Sequence, residues 1–177
     1  MSLLDQNIKT IFGVEPKYSW KEYLRGVRPI LNIKDQQEAN LGKFQMKDKK
    51  DNLHSLYHPD GNLWLRFNQY GTFNVNAQIW DSEHNFIAKT DSKTKLTSKL
   101  LWLENAKGEK ILTCKNGVSI FDPNENLVAE LEFKRLRKDF TLRIIDTNLD
   151  KLLILAFSLA LLINQEYGFE GSDAAGG

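Results

Sequence analysis

Cysteine is nearly absent from this sequence, since Cys114 is the only one among 177 residues. A single cysteine excludes an intrachain disulfide and is compatible with a reducing compartment. The N-terminus also lacks the basic region and the long apolar region of a signal peptide, so we expect a cytoplasmic protein. The formal net charge is only +1, which excludes a strongly basic chain, and we expect no nucleic-acid partner.

The common motifs of catalytic and cofactor sites are missing as well. The sequence has no G-x-S-x-G, P-loop, G-x-G-x-x-G or paired-carboxylate signature. His54 and His58 are four residues apart, but they lie in a predicted strand and turn where no third metal ligand is evident. We therefore interpret them as surface histidines, and we expect neither an enzyme nor a bound cofactor.

One segment partly matches a calcium-binding loop. Asp146, Asn148 and Asp150 have the spacing with which such a loop begins. The loop also needs Gly at its sixth position and Glu at its twelfth, where this chain has Lys151 and Phe157. An ordinary helix N-terminus is the favoured interpretation, and no metal site is expected.

The sequence contains one long apolar run, residues 152–163, in which Ser158 is the only polar side chain. A helix that is apolar on every face must be buried in lipid or in protein. Twelve helical residues span about 18 Å, whereas the hydrocarbon core of a bilayer is about 30 Å thick. The run therefore predicts a buried core helix rather than a transmembrane segment. We expect the Ser158 hydroxyl to donate to the carbonyl four residues earlier.

Before this run, apolar and polar residues alternate along several short segments. The clearest examples lie at residues 63–67, 73–79, 127–134 and 140–144. Alternation with a period of two is typical of antiparallel strands with one buried face. The fold class that we expect is mainly β, with a sheet wrapped around the apolar helix.

The predicted turns between these strands have a common form. Residues 57–63, 80–86 and 121–127 each place a bulky residue, several polar or turn-forming residues and then a new strand, and residues 103–109 match more loosely. Two interpretations are open. The turns are those of any antiparallel meander, or they belong to a repeated hairpin unit that suits a barrel.

The domain organisation that we expect has three parts. Residues 1–26 are predicted to form short helices and loop, because Ser19 and Glu22 have the spacing of a capping box. Residues 27–168 are predicted to form one domain that includes a central helix over residues 149–166. Residues 169–177 are small and polar and predict a flexible tail.

The order of these elements resembles a known superfamily. A long meander leads to the late strand Phe140-Thr141-Leu142-Arg143-Ile144-Ile145-Asp146, and the apolar helix that follows closes on Tyr167. This order resembles the tubby C-terminal-like superfamily, which includes the LURP-one-related proteins and the phospholipid scramblases. The resemblance covers roughly residues 27–167. It implies a closed antiparallel barrel of about twelve strands around a buried C-terminal helix.

The resemblance implies function less specifically than fold. Tubby domains bind phosphoinositide headgroups through Lys and Arg, scramblases are linked to calcium and lipid movement, and many LURP-one-like proteins have no known activity. The residues proposed to contact lipid headgroups are Lys134, Arg135, Arg137, Lys138 and Arg143. An anionic membrane attracts such cations by about 1 kcal/mol each. A solvated hairpin turn is the other interpretation, because no tubby motif matches here residue by residue.

Two functions are therefore open. The first is a peripheral binder of anionic phospholipid or phosphoinositide headgroups at the inner face of a membrane. The second is a protein-interaction or structural module without a ligand, whose contact element would be the N-terminal 25 residues with Trp20 and Tyr23.

Overall fold

The computed structural model shows a closed barrel of twelve antiparallel strands and one C-terminal helix. The structure describes residue 4, residues 7–17, residue 21 and residues 30–46, 53–71, 75–95, 98–134, 139–145 and 148–168. The elements are β1 (Thr10–Val14), β2 (Ile30–Asp35), β3 (Asn40–Gln45), β4 (Leu53–Tyr57), β5 (Leu63–Tyr70), β6 (Asn76–Asp81), β7 (Phe86–Lys95), β8 (Ser98–Asn105), β9 (Lys110–Lys115), β10 (Ser119–Phe121), β11 (Leu127–Phe133), β12 (Phe140–Ile144) and α1 (Lys151–Gly168).

Each strand pairs with its neighbours in the chain, and β1 closes the barrel by pairing with β12. In this closing pair Thr10 lies opposite Arg143, and Gly13 lies opposite Phe140. Closure gives every strand two partners, so the barrel has no unpaired edge at which a second chain could add a strand.

Helix α1 lies inside the barrel. Its residues from Ile154 to Asn164 are all buried, with exposed fractions between 0% and 5%. The inward-facing side chains of the strands pack around it, as the alternation in the sequence predicts. The Ser158 hydroxyl donates to the Ile154 carbonyl at 2.9 Å, which confirms the predicted bond within the helix. Burial also raises the pKa of the Cys114 thiol, which lies in this core, to about 12.

The helix defines two ends of the barrel. At the end where α1 begins, which we call the entry end, Lys151 is buried and its Nζ donates to the Ile8 carbonyl at 2.7 Å. At the opposite end, the exit end, the Asn164 side-chain amide donates to the Val75 carbonyl. The Lys99 Nζ donates to Asn164 Oδ1 at 2.6 Å. The helix is therefore tied to the barrel wall at both ends.

The entry end carries five hairpin turns with one geometry. In each turn, the backbone N–H of the first residue donates to the carbonyl of the fifth residue. The carbonyl of the first residue accepts the N–H of the fourth residue. The first residues are Asp35, His58, Asp81, Asn105 and Asp122. The fourth residues all have positive φ: Glu38, Gly61, His84, Gly108 and Glu125. The predicted repeated hairpin unit is therefore present, with one more copy than the sequence pattern indicates.

Three expectations need correction. The barrel begins at Thr10 rather than at residue 27, because β1 pairs with both β2 and β12. The helix spans Lys151–Gly168, and Asp150 caps it by accepting the Leu152 N–H at Oδ1, 3.0 Å away. His54 is only 1% exposed and is not a surface histidine, since it packs against Phe44 inside the barrel. Ser19, Glu22 and the tail lie outside the described residues.

Candidate functional site at the exit end

Six connections join consecutive strands at the exit end, because every second hairpin of an antiparallel barrel faces the same way. They are residues 15–29, 46–52, 71–75, 96–97, 116–118 and 134–139. Closure of β1 on β12 makes three of them neighbours around the rim: 134–139, 15–29 and 46–52. We call these three connections the basic half-rim.

The sequence places an excess of positive charge in the basic half-rim. Its three connections contain eleven Lys and Arg residues and five Asp and Glu residues, and the other three connections of the exit end contain no charged residue. The basic residues are Lys17, Lys21, Arg25, Arg28, Lys47, Lys49, Lys50, Lys134, Arg135, Arg137 and Lys138. The C-terminus of α1 contributes only about half a negative charge at this end, which is small beside an excess of six cations.

The entry end has the opposite charge. Its connections contain eight Asp and Glu residues and one Lys, and they comprise residues 36–39, 58–62, 82–85, 106–109, 122–126 and 145–150. The turn geometry keeps the carboxylates of Asp122 and of Asp81, the last residue of β6, ionised. The Asn85 side-chain amide and backbone N–H groups hold the pKa of Asp81 below its usual range, and Asn126 acts likewise on the pKa of Asp122. The barrel is thus electrically polar along its axis.

One buried carboxylate joins two connections of the basic half-rim. Asp139 is 6% exposed, and its Oδ1 accepts the Glu15 N–H at 2.7 Å. Its backbone carbonyl accepts the N–H of Lys134 at 3.0 Å. The first residue after β1 is therefore fastened to the turn between β11 and β12, which holds these two basic connections side by side.

The structure separates Arg143 from Lys134, two of the predicted headgroup residues. Lys134 is exposed at the exit end, whereas Arg143 lies three residues along β12 from Phe140, about 10 Å toward the entry end. Arg143 lines a depression on the outer face of the barrel that it shares with Glu130 and Glu132. Arg135, Arg137 and Lys138 lie outside the described residues.

Neither a metal centre nor a membrane-spanning helix is found in the part of the chain that the structure describes. No group of three or more His, Cys, Asp and Glu side chains there has the arrangement of a metal site. Asp146 lies outside this part, and Asp150 serves as the cap of α1. None of the described helices has the length and apolar character needed to cross a bilayer.

Part of the N-terminal 25 residues belongs to the barrel. They contain β1, and Leu4 and Ile8 are buried in the core cluster. Gln36 fastens this segment to the first turn, because its Oε1 accepts the N–H groups of Lys9 and Thr10, both at 3.2 Å. Trp20 and Tyr23 lie outside the described residues.

The sequence alone indicates the basic cluster at 134–138, but it does not indicate that the basic connections 15–29 and 46–52 lie next to this cluster. The signal was present in the charges at 17–28 and 47–50, yet only the pairing of β1 with β12 makes these segments adjacent.

A scan against protein-family models finds no family that matches this chain, and a search of curated proteins finds no similar sequence.

Proposed function

We propose that the protein is a non-enzymatic barrel of the tubby-like, LURP-one-related kind that docks peripherally on anionic membrane lipids at the cytoplasmic face. The observation that carries this proposal is the basic half-rim, where three consecutive connections hold all the cations of the exit-end connections. The barrel with its buried helix is the architecture that the resemblance to the tubby-like superfamily implies. The ligands would be anionic phospholipid or phosphoinositide headgroups.

The polarity of the barrel supports one orientation. The acidic entry end is repelled by an anionic surface, while each cation near that surface contributes about 1 kcal/mol of attraction. An excess of six cations is therefore sufficient for salt-sensitive binding without a specific headgroup pocket. Arg and Lys in the half-rim would donate charge-assisted hydrogen bonds to phosphate oxygens.

The test is co-sedimentation of the full chain with vesicles of phosphatidylcholine alone, or with added phosphatidylserine or phosphoinositide. We expect binding only to the anionic vesicles, and weaker binding at higher salt. Replacing Lys134, Arg135, Arg137 and Lys138 with Gln should reduce the affinity at least about tenfold, because four contributions are lost. Replacing Lys47, Lys49 and Lys50 with Gln should reduce it further.

A matched control removes four cations that lie in or near the entry-end connections. The variant carries Lys9→Gln, Lys34→Gln, Lys107→Gln and Lys110→Gln, and we expect it to bind like the parent protein. Equal losses in the two quadruple variants would show that net charge, and not the half-rim, drives binding. Binding to no vesicle would overturn the proposal and favour the protein-interaction module.

A further inference from the structure

A depression of about 320 Å³ lies on the outer face of the barrel, across β10, β11 and β12. Its polar lining consists of Ser119, Glu130, Glu132, Thr141 and Arg143, and Val118 forms part of its apolar surface. This volume is at the low end of the range for small-molecule sites, which is roughly 300–1,000 Å³. None of its lining residues belongs to the basic half-rim, although Phe133 directly precedes Lys134 in the chain.

The three charged side chains of the depression lack partners. Glu130 lies directly opposite Arg143 on β12 and opposite Ser119 on β10. Residues opposite one another in an antiparallel pair are normally close enough for opposite charges to interact. Within the described part of the chain, however, the side chains of Glu130, Glu132 and Arg143 form no ion pair or hydrogen bond, although their backbones take part in strand pairing. Their charges are therefore available to a ligand.

We propose that this depression binds a small zwitterion with one carboxylate and two ammonium groups, of which lysine is the simplest example. The Arg143 guanidinium suits a carboxylate, which it can bind through two parallel hydrogen bonds. Glu130 and Glu132 point to the same side of β11 and are about 7 Å apart along the strand, so each can accept from one ammonium group. The site has a net charge of one negative unit, and the ligand has a net charge of one positive unit.

The apolar surface supports the same ligand class. Val118 is 46% exposed, which is high for a large apolar side chain, and Phe133 lines the same depression. An alkyl chain that joins the two ammonium groups would cover this apolar surface. Ser119 and Thr141 supply hydroxyl groups that donate to the carboxylate or accept from an ammonium group.

The test is an NMR titration of the isotope-labelled full chain with lysine and two analogues, each lacking one charged group. Cadaverine lacks the carboxylate, and 6-aminohexanoate lacks one ammonium group. We expect lysine to shift the amide signals of Ser119, Glu130 and Arg143 saturably. Each analogue should bind about fivefold more weakly, which is the value of one exposed ion pair.

Two variants assign the charges. Arg143→Gln should abolish the preference for lysine over cadaverine. Glu130→Gln should abolish the preference for lysine over 6-aminohexanoate, because Glu130 lies opposite Arg143 and would face the ammonium group next to the carboxylate. Glu83→Gln, in an exposed turn at the entry end, is the control and should change neither preference.

The proposal is overturned if lysine gives no saturable shifts at these amides, or if Arg143→Gln leaves the preference over cadaverine unchanged. Arg143→Gln should also leave vesicle binding unchanged, so this test is independent of the proposed membrane function.

Discussion

At the scale of the single residue, Gly13 determines how closely β1 approaches β12. Its partner across the strand pair is Phe140, which is 2% exposed. A Cβ atom at position 13 would overlap the ring of Phe140, so the glycine leaves the space that this aromatic side chain fills. The closing seam of the barrel, and with it the adjacency of the basic connections, depends on this contact.

We expect Gly13→Ala to lower the free energy of unfolding by about 1–3 kcal/mol, because the added methyl group forces the Phe140 ring out of its place. Urea denaturation measures the change. Val14→Ala is the control, because Val14 is exposed at the end of the same strand and should cost about 0.5 kcal/mol or less. An unchanged stability in Gly13→Ala would contradict the packing of β1 against β12.

At the scale of the element, four of the five hairpin turns use one side-chain oxygen of their first residue to accept two backbone N–H groups. Asp81 Oδ1 accepts the N–H groups of Glu83 and Asn85 at 2.9 and 2.8 Å. Asp122 does the same for the N–H groups of Asn124 and Asn126. Asn105 makes the equivalent bonds without a charge, so the geometry itself needs only an acceptor oxygen. The charge of the aspartates adds a dependence on pH.

The pKa values of Asp81 and Asp122 are lowered in the folded protein, mainly by the side-chain amides of Asn85 and Asn126. The stability that these carboxylates contribute is therefore complete above the pKa of the unfolded chain, about 3.9, and is lost as the pH falls through the lower folded-state values. We expect the variant Asp81→Asn/Asp122→Asn to be less stable than the parent protein at pH 7, because it lacks the two ionised carboxylates, and we expect this difference to shrink between about pH 5 and pH 3. Urea midpoints across this range measure the difference.

A control for the acid experiment is Glu83→Gln, which removes an exposed carboxylate from the same turn as Asp81 and should follow the parent protein. If the double asparagine variant loses as much stability in acid as the parent, the turn carboxylates are not the groups responsible.

Helix α1 is an element without a solvent face. Ile154, Leu155, Phe157 and Ile163 are all fully buried, and at 3.6 residues per turn they point in four different directions around the axis. Replacing any one of them with Ala should cost about 2–5 kcal/mol. Leu153→Ala is the matched control, because Leu153 is only partly buried and should cost less.

Chemical denaturation of these five variants measures how much each substitution lowers the free energy of unfolding. A helix packed on the outside of the barrel would have one tolerant face. Finding one such position among the four buried residues would contradict the enclosed helix.

Most strands and the helix could be predicted from the sequence, because each is indicated by a pattern of residues that are close together in the chain. Alternation along residues 63–67 and 140–144 indicates strands, and the apolar run at 152–163 indicates a helix that is buried all round. Strand β1 could not be predicted in the same way. It has only five residues, and its partner β12 begins at Phe140, so nothing near it in the sequence shows that it belongs to the barrel.

At the scale of the whole molecule, closure converts separate charged segments into one surface. The basic connections 15–29 and 46–52 are far from 134–139 in the chain, and they become neighbours only because β1 pairs with β12. Arg143 is not part of this surface, because it lies three residues along β12 from Phe140, toward the entry end. The candidate site therefore depends on the strand order of the closed barrel, and the charges of any one segment of the sequence predict only part of it.

Hydrogen exchange of the full chain, with and without phosphatidylserine vesicles, tests the membrane proposal most directly because it reports which end of the barrel meets the lipid. We expect slower exchange in bound protein at the amides of Glu15, Lys17 and Lys134, which lie at the basic half-rim. The turns that begin at Asp81, Asn105 and Asp122 should exchange as in the free protein. Docking through the basic half-rim would be contradicted if the entry-end turns exchanged more slowly in bound protein. It would also be contradicted if the protein bound vesicles and the half-rim amides exchanged as in the free protein.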